Sequence, residues 1–151
     1  MPTQCFLIEP IYGDPLPDPD TSKLWPPHRL IVGWTRPDTW EVHRHNRDFG
    51  AGAMFYAIWL PRNWTWENED RPHLHLRCPN GTGRTSDWDI DSRASNCELP
   101  HDNVHRCWVI EGTPPLITVS KGRRGQSCRA GAGSIQLEHF HGMLRQGILT
   151  P

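Results

Sequence analysis

The sequence predicts a mainly β protein: a single antiparallel β domain, sandwich or barrel-like, with little helix and a proline-rich N-terminal arm. Three observations lead there. Short apolar or alternating runs recur from residue 30 onward, turn residues separate them, and no window carries an apolar stripe at helical spacing for three turns. A chain of 151 residues also suits one hydrophobic core, since about two thirds of its unfolded surface can be buried at that length.

Residues 3 to 9, T-Q-C-F-L-I-E, read as a short strand. Residues 10 to 29 then carry six Pro, at 10, 15, 17, 19, 26 and 27. Proline cannot donate to a ladder and holds the preceding residue extended, so this stretch reads as a surface arm. The expected organisation is therefore strand and arm over 1–29, then a β-rich domain over 30–151, with neither an internal repeat nor a linker. Within that domain the runs are L-I-V-G-W (30–34), W-E-V-H-R-H (40–45), M-F-Y-A-I-W-L (54–60), H-L-H-L-R-C (73–78), D-W-D-I (87–90), C-W-V-I (107–110) and L-I-T-V-S (116–120). Asn80-Gly81, the stretch from Gly112 to Pro115, and Lys121-Gly122 mark turns between them. The helical candidates are a short segment within 50–60 and a turn or two around 92–96.

Sixteen Lys and Arg against 17 Asp and Glu give a net charge of -1, which excludes a polyanion-binding surface and makes nucleic acid an unexpected partner. The small basic group Lys121, Arg123, Arg124 and Arg129 does not alter that, because the eight Trp are core material before they are stacking platforms. No basic leader opens the chain, and its longest apolar stretch, residues 50–60, is too short to span a bilayer; a soluble protein without an export signal is expected. Five Cys, at 5, 78, 97, 107 and 128, cannot all pair within the chain and include no C-x-x-C. Reduced thiols or a metal fit better than a disulfide framework.

Chemistry, if present, concentrates between residues 87 and 108, where four Asp, one Glu, two His and two Cys fall together. Cys97, His101, His105 and Cys107 offer thiolate and imidazole, the donors zinc selects, and form the candidate zinc site, with Cys128 as an additional ligand. The same residues supply Cys and His for a nucleophilic pair. Asp87, Asp89, Asp91, Ser95 and Glu98 occupy five positions of a calcium loop, but position six is Ser92 where the turn wants Gly, so D-W-D-I-D reads better as a strand with Trp88 and Ile90 inward and the carboxylates in water. Three His-x-His pairs, His43/His45, His73/His75 and His139/His141, would each point to one face of a strand. The glycine-rich residues 131–135 lack the Lys of a phosphate cradle and read as a tight turn.

The segments W-D-I-D-S-R-A-S-N-C (88–97), H-R-C-W-V (105–109), G-A-G-S-I-Q (131–136) and H-G-M-L-R-Q-G (141–147) resemble those of small uncharacterised proteins encoded in bacteriophage genomes. The resemblance covers roughly the C-terminal half, with a weaker echo over 61–66. It implies a phage setting, in the virion or the host cytoplasm, and transfers no catalytic residues. Two functions fit that setting. One is an interaction protein, either a virion-associated decoration or accessory protein or an inhibitor of a host defence, binding a virion or host protein through the arm or through Trp25, Trp64 and Trp66. The other is a metal-dependent hydrolase or nuclease using the cluster 87–107. Binding is the favoured reading, with self-association left open.

Overall fold

In the computed structural model the described residues are 1–17, 20–65, 69–94, 97–99, 107–121 and 134–151. Among them the protein is mainly β, as predicted, with antiparallel sheets and no α-helix. Among the described residues no helix is long and apolar enough to cross a membrane.

The N-terminal stretch departs from the predicted arm. β1 (Thr3–Gln4) pairs with β13 (Ile148–Thr150), β2 (Phe6–Leu7) runs parallel to β6 (Ala53–Tyr56), and β3 (Glu9–Pro15) pairs with β4 (Arg29–Arg36). The segment from Glu9 to Pro15 is thus a strand despite its two prolines, and its pairing crosses the boundary expected at residue 29. Both prolines are tolerated because β3 is an edge strand, whose outward side needs no donors.

The central sheet runs β2-β6-β7-β8, with β7 (Leu74–Asn80) and β8 (Arg84–Asp89) joined by the turn expected at Asn80-Gly81. Gly81 and Gly83 take positive φ of 67° and 71° there, a conformation open to glycine without a Cβ penalty. The hairpin register runs from Asn80 opposite Arg84 to His75 opposite Asp89. Alternation then sends Leu74, Leu76, Cys78, Trp88 and Ile90 to one face, where all five are buried in the larger core cluster with Cys107, Trp108, Ile117, Ile135 and Leu144. These last come from β9 (Trp108–Glu111), β10 (Thr118–Lys121), β11 (Ile135–Leu137) and β12 (Phe140–Arg145), or from the residues flanking them. Trp88 meets Trp108 edge-on at 5.2 Å. Burying a Leu or Ile fully contributes about 1.5–3 kcal/mol.

The other face of the central sheet carries a second cluster, in which Phe6, Ala53 and Phe55 pack with Ile8, Trp34 and Phe49. β6 is therefore buried on both sides, which explains its unbroken apolar run. The helix considered for residues 50–60 does not form: β6 occupies that stretch, and a 3-10 turn at Asn46–Phe49 precedes it. β3, β4 and β5 (Glu41–His43) form the sheet that covers this second cluster. Ile11 pairs with Gly33 and Tyr12 with Ile31, so Val32 is an extra residue, a bulge that lets both Ile31 and Trp34 face inward.

Candidate functional site

The face of β7 and β8 opposite the main core carries a ladder of histidines and aspartates. His73, just before β7, lies with Nδ1 2.8 Å from Asp89 Oδ2, and His75 Nδ1 lies 3.0 Å from both oxygens of Asp87. A carboxylate only accepts, so each Nδ1 donates. Asp91 is buried, takes both ends of the Arg71 guanidinium at 2.7 and 2.9 Å, and accepts from Leu74 N–H at 2.8 Å. The carboxylates of D-W-D-I-D therefore do not all sit in water, as expected from the sequence; Trp88 and Ile90 do face inward. Burial works against a charged His73, but the bond to Asp89, the charges of Asp89 and Asp91 and a bond to the Trp64 backbone outweigh it and hold the imidazole above its usual 6.5.

His75 is the more enclosed of the two, 8% exposed, with Phe55 and Trp59 rings at 5.8 and 5.9 Å. Its Nε2 is buried without a hydrogen bond and stands 3.8 Å from Asp89 Oδ2. An atom so covered cannot reach a substrate. The array binds strand to strand and loop to strand, and its chemistry is that of a clasp.

Among the described residues no three His, Cys, Asp or Glu side chains converge as a metal group. His101 and His105 of the predicted zinc set, and Cys128, lie outside the described residues. Cys107 is fully buried in the main core cluster and Cys97 packs against that cluster, with its Sγ 3.1 Å from the Arg93 guanidinium. Of the calcium-loop positions, Asp87, Asp89 and Asp91 are engaged as above, and Ser95 lies outside the described residues. The remaining His-x-His pairs do not make two-ligand faces. His43 turns edge-on to Phe49 at 4.6 Å while His45 is exposed beyond the strand, and His139 sits in a turn while His141, on β12, bonds Ser134 Oγ at 2.9 Å. The glycine-rich 131–133 and Arg123, Arg124 and Arg129 fall outside the described residues.

The predicted contact tryptophans separate. Trp64 is 55% exposed. Trp25 is half-buried beneath the Arg62 guanidinium, 5.4 Å from its ring, which ties two loops together. Trp66 lies outside the described residues. The most exposed tryptophan described is Trp40, at 81%, which the sequence placed in a strand run. It closes the β4–β5 turn with φ of 61°, pinned by its N–H to the Arg36 carbonyl at 2.8 Å, while Arg36 grips Asp38 at 2.6 and 3.1 Å. Left-handed backbone in a bulky residue costs about 1–2 kcal/mol.

Beside Trp40 lies an apolar sheet face. Trp34 and its partner His43 point inward, so Thr35 and Val42 point out, as do Leu30 and Val32 on either side of the inward Ile31. Leu30, Val32 and Val42 are 49%, 56% and 59% exposed. By the same alternation Arg36 and Glu41, opposite one another, lie on the inward side, Arg36 with its guanidinium 3.9 Å over the Phe6 ring and Glu41 3.3 Å from His43. Comparison with protein-family models, with curated proteins and with solved structures returned no match to this chain.

Proposed function

We propose that the protein acts by binding, as a virion-associated accessory protein of a phage, through the outer face of the β3–β4–β5 sheet. One observation carries this reading: Trp40, held in a strained turn with most of its surface in water, at the end of a strip of three exposed aliphatic residues. Strain at an exposed aromatic residue brings nothing to the isolated domain and is characteristic of recognition sites. A strip that is apolar over Leu30, Val32 and Val42 suits a protein surface better than a polyanion. The phage setting rests on the resemblance of residues 88–97, 105–109, 131–136 and 141–147.

The test is quantitative mass spectrometry of purified particles from a phage carrying either the natural chain or the variant Val32→Ser/Trp40→Ala. Stoichiometric presence lost in the variant supports the reading. Absence from particles together with a host protein that co-purifies only with the natural chain favours the defence inhibitor instead. No Trp40-dependent association of either kind defeats the binding reading altogether.

The alternative of a metal-dependent hydrolase or nuclease draws less support, because Asp87, Asp89 and Asp91 are already committed to His75, His73 and Arg71. A zinc ion on Cys97, His101, His105 and Cys107 fits the binding reading as a structural element, supported by the placement of both thiols at one core cluster. Emission spectrometry of untagged protein should find stoichiometric zinc that is released on acidification; its absence removes zinc from the proposal.

A further inference from the structure

The sheet ordered β1-β13-β12-β11 turns one side to the main core and the other to water. Burial alternates along β12: Phe140, Gly142 and Leu144 are buried, so His141, Met143 and Arg145 stand together on the outer face. Met143 lies opposite Thr150 on β13, and its neighbour on the other side, one step beyond the Ile135–Gly142 pair, is Ser134. A cleft of about 430 Å³ opens over this row, lined by Ser134, His141, Met143, Arg145 and Thr150 and by no Asp or Glu.

The chemistry of that lining is one-sided. Arg145 folds back along the strand and gives one N–H to Met143 Sδ at 3.3 Å, which carries its charge to the middle of the row. A thioether is a weak acceptor, so most of the guanidinium fork stays available, and Arg145 has no ion-pair partner among the described residues. His141 Nε2 and Ser134 Oγ lie 2.9 Å apart. With the proton on Nε2 the imidazole donates to the hydroxyl oxygen, and the Ser134 O–H is left free to donate into the cleft. Thr150 brings a second hydroxyl from the opposite side of Met143. Strands on either side of β12 are about 10 Å apart, and a phosphate group with a hydrogen bond on each side spans about 8 Å.

A guanidinium and two hydroxyls arriving from three directions match three terminal oxygens, where a carboxylate has two. Met143, 40% exposed, gives the cleft an apolar floor, and the volume exceeds what inorganic phosphate fills. We infer that this cleft binds a small phosphate monoester, its terminal oxygens taken by Arg145 and the Ser134 and Thr150 hydroxyls and its organic portion resting on Met143. A small dianion needs only this local charge, so the net charge of -1 that argues against a polyanion does not oppose it. The site is on a different sheet from Trp40 and does not rest on the binding reading.

The experiment is a calorimetric titration of the full chain with phenyl phosphate, and with benzoate and inorganic phosphate as controls. Saturable binding of phenyl phosphate is expected, with both controls weaker by about tenfold or more. Arg145→Gln should weaken it about tenfold, and Ser134→Ala and Thr150→Val about threefold each, with thermal melting unchanged because none of these side chains is buried. Arg84→Gln, the same loss of charge on exposed β8, should leave the titration as it is. No saturation, equal binding of benzoate or of inorganic phosphate, an unchanged titration in Arg145→Gln, or an equal weakening in Arg84→Gln would overturn the assignment.

Discussion

Trp40 holds a conformation that its own side chain disfavours, and that makes stability and binding separable at one position. Trp40→Gly removes the Cβ conflict at φ 61° and is expected to leave the fold unharmed or firmer by up to about 1 kcal/mol, because the strain of a non-glycine residue there disappears. Chemical denaturation checks the first half, and loss of partner association the second. His73 gives a pH signature. Its folded pKa is raised, so its clasp on Asp89 is at full strength below the ordinary imidazole value of 6.5 and fades as pH climbs through the raised value. The stability difference between the natural chain and His73→Asn, about 1–3 kcal/mol for a charged hydrogen bond, should be largest in acid and shrink in alkali; a flat difference in urea melts across that range contradicts the clasp. Cys5 and Cys78 are both buried and pushed up to about 12, so neither is thiolate at neutral pH. Alkylation followed by mass spectrometry should leave them unmodified in the native protein and label them after unfolding.

The β7–β8 hairpin concentrates the energetics that single elements supply. Asp91→Ala strips Arg71 of its bidentate partner and leaves Leu74 N–H without its acceptor, an expected loss of about 3–5 kcal/mol. A urea midpoint within error of the natural chain would show that the pair is solvent-screened instead. Much of this hairpin was legible in the sequence: alternation in H-L-H-L-R-C and D-W-D-I, with Asn80-Gly81 between, announced two strands and a turn. The pairing of His73 with Asp89 and His75 with Asp87 was not drawn from it, because each run was read alone and a strand's partner fixes which charges meet. Residues 10 to 15 misled for a related reason. Proline content argues against a central strand, and only the position of β3 at a sheet edge makes Pro10 and Pro15 compatible with pairing. Trp40 was illegible because hydrophobicity assigns a Trp to the core, whereas a tight turn threw this one outward.

At the scale of the molecule, two apolar clusters on opposite faces of one sheet, the larger holding Trp88 and Trp108 and the smaller Trp34, build the core from a modest apolar fraction. The β-rich class followed from periodicity, but the joining of β1 to β13 and of β2 to β6 depends on contacts between distant segments that no local pattern records. The same arrangement leaves the outer surface of β3–β4–β5 free of any covering layer among the described residues, and this is the surface on which the binding account depends. The most direct test is site-specific photocrosslinking in infected cells, with benzoylphenylalanine at position 40 and, as control, at Met143 on β12. The account predicts one discrete adduct, of constant mass and carrying a phage structural protein, from position 40 and none from position 143. No adduct at 40, or the same adduct from both positions, would contradict it.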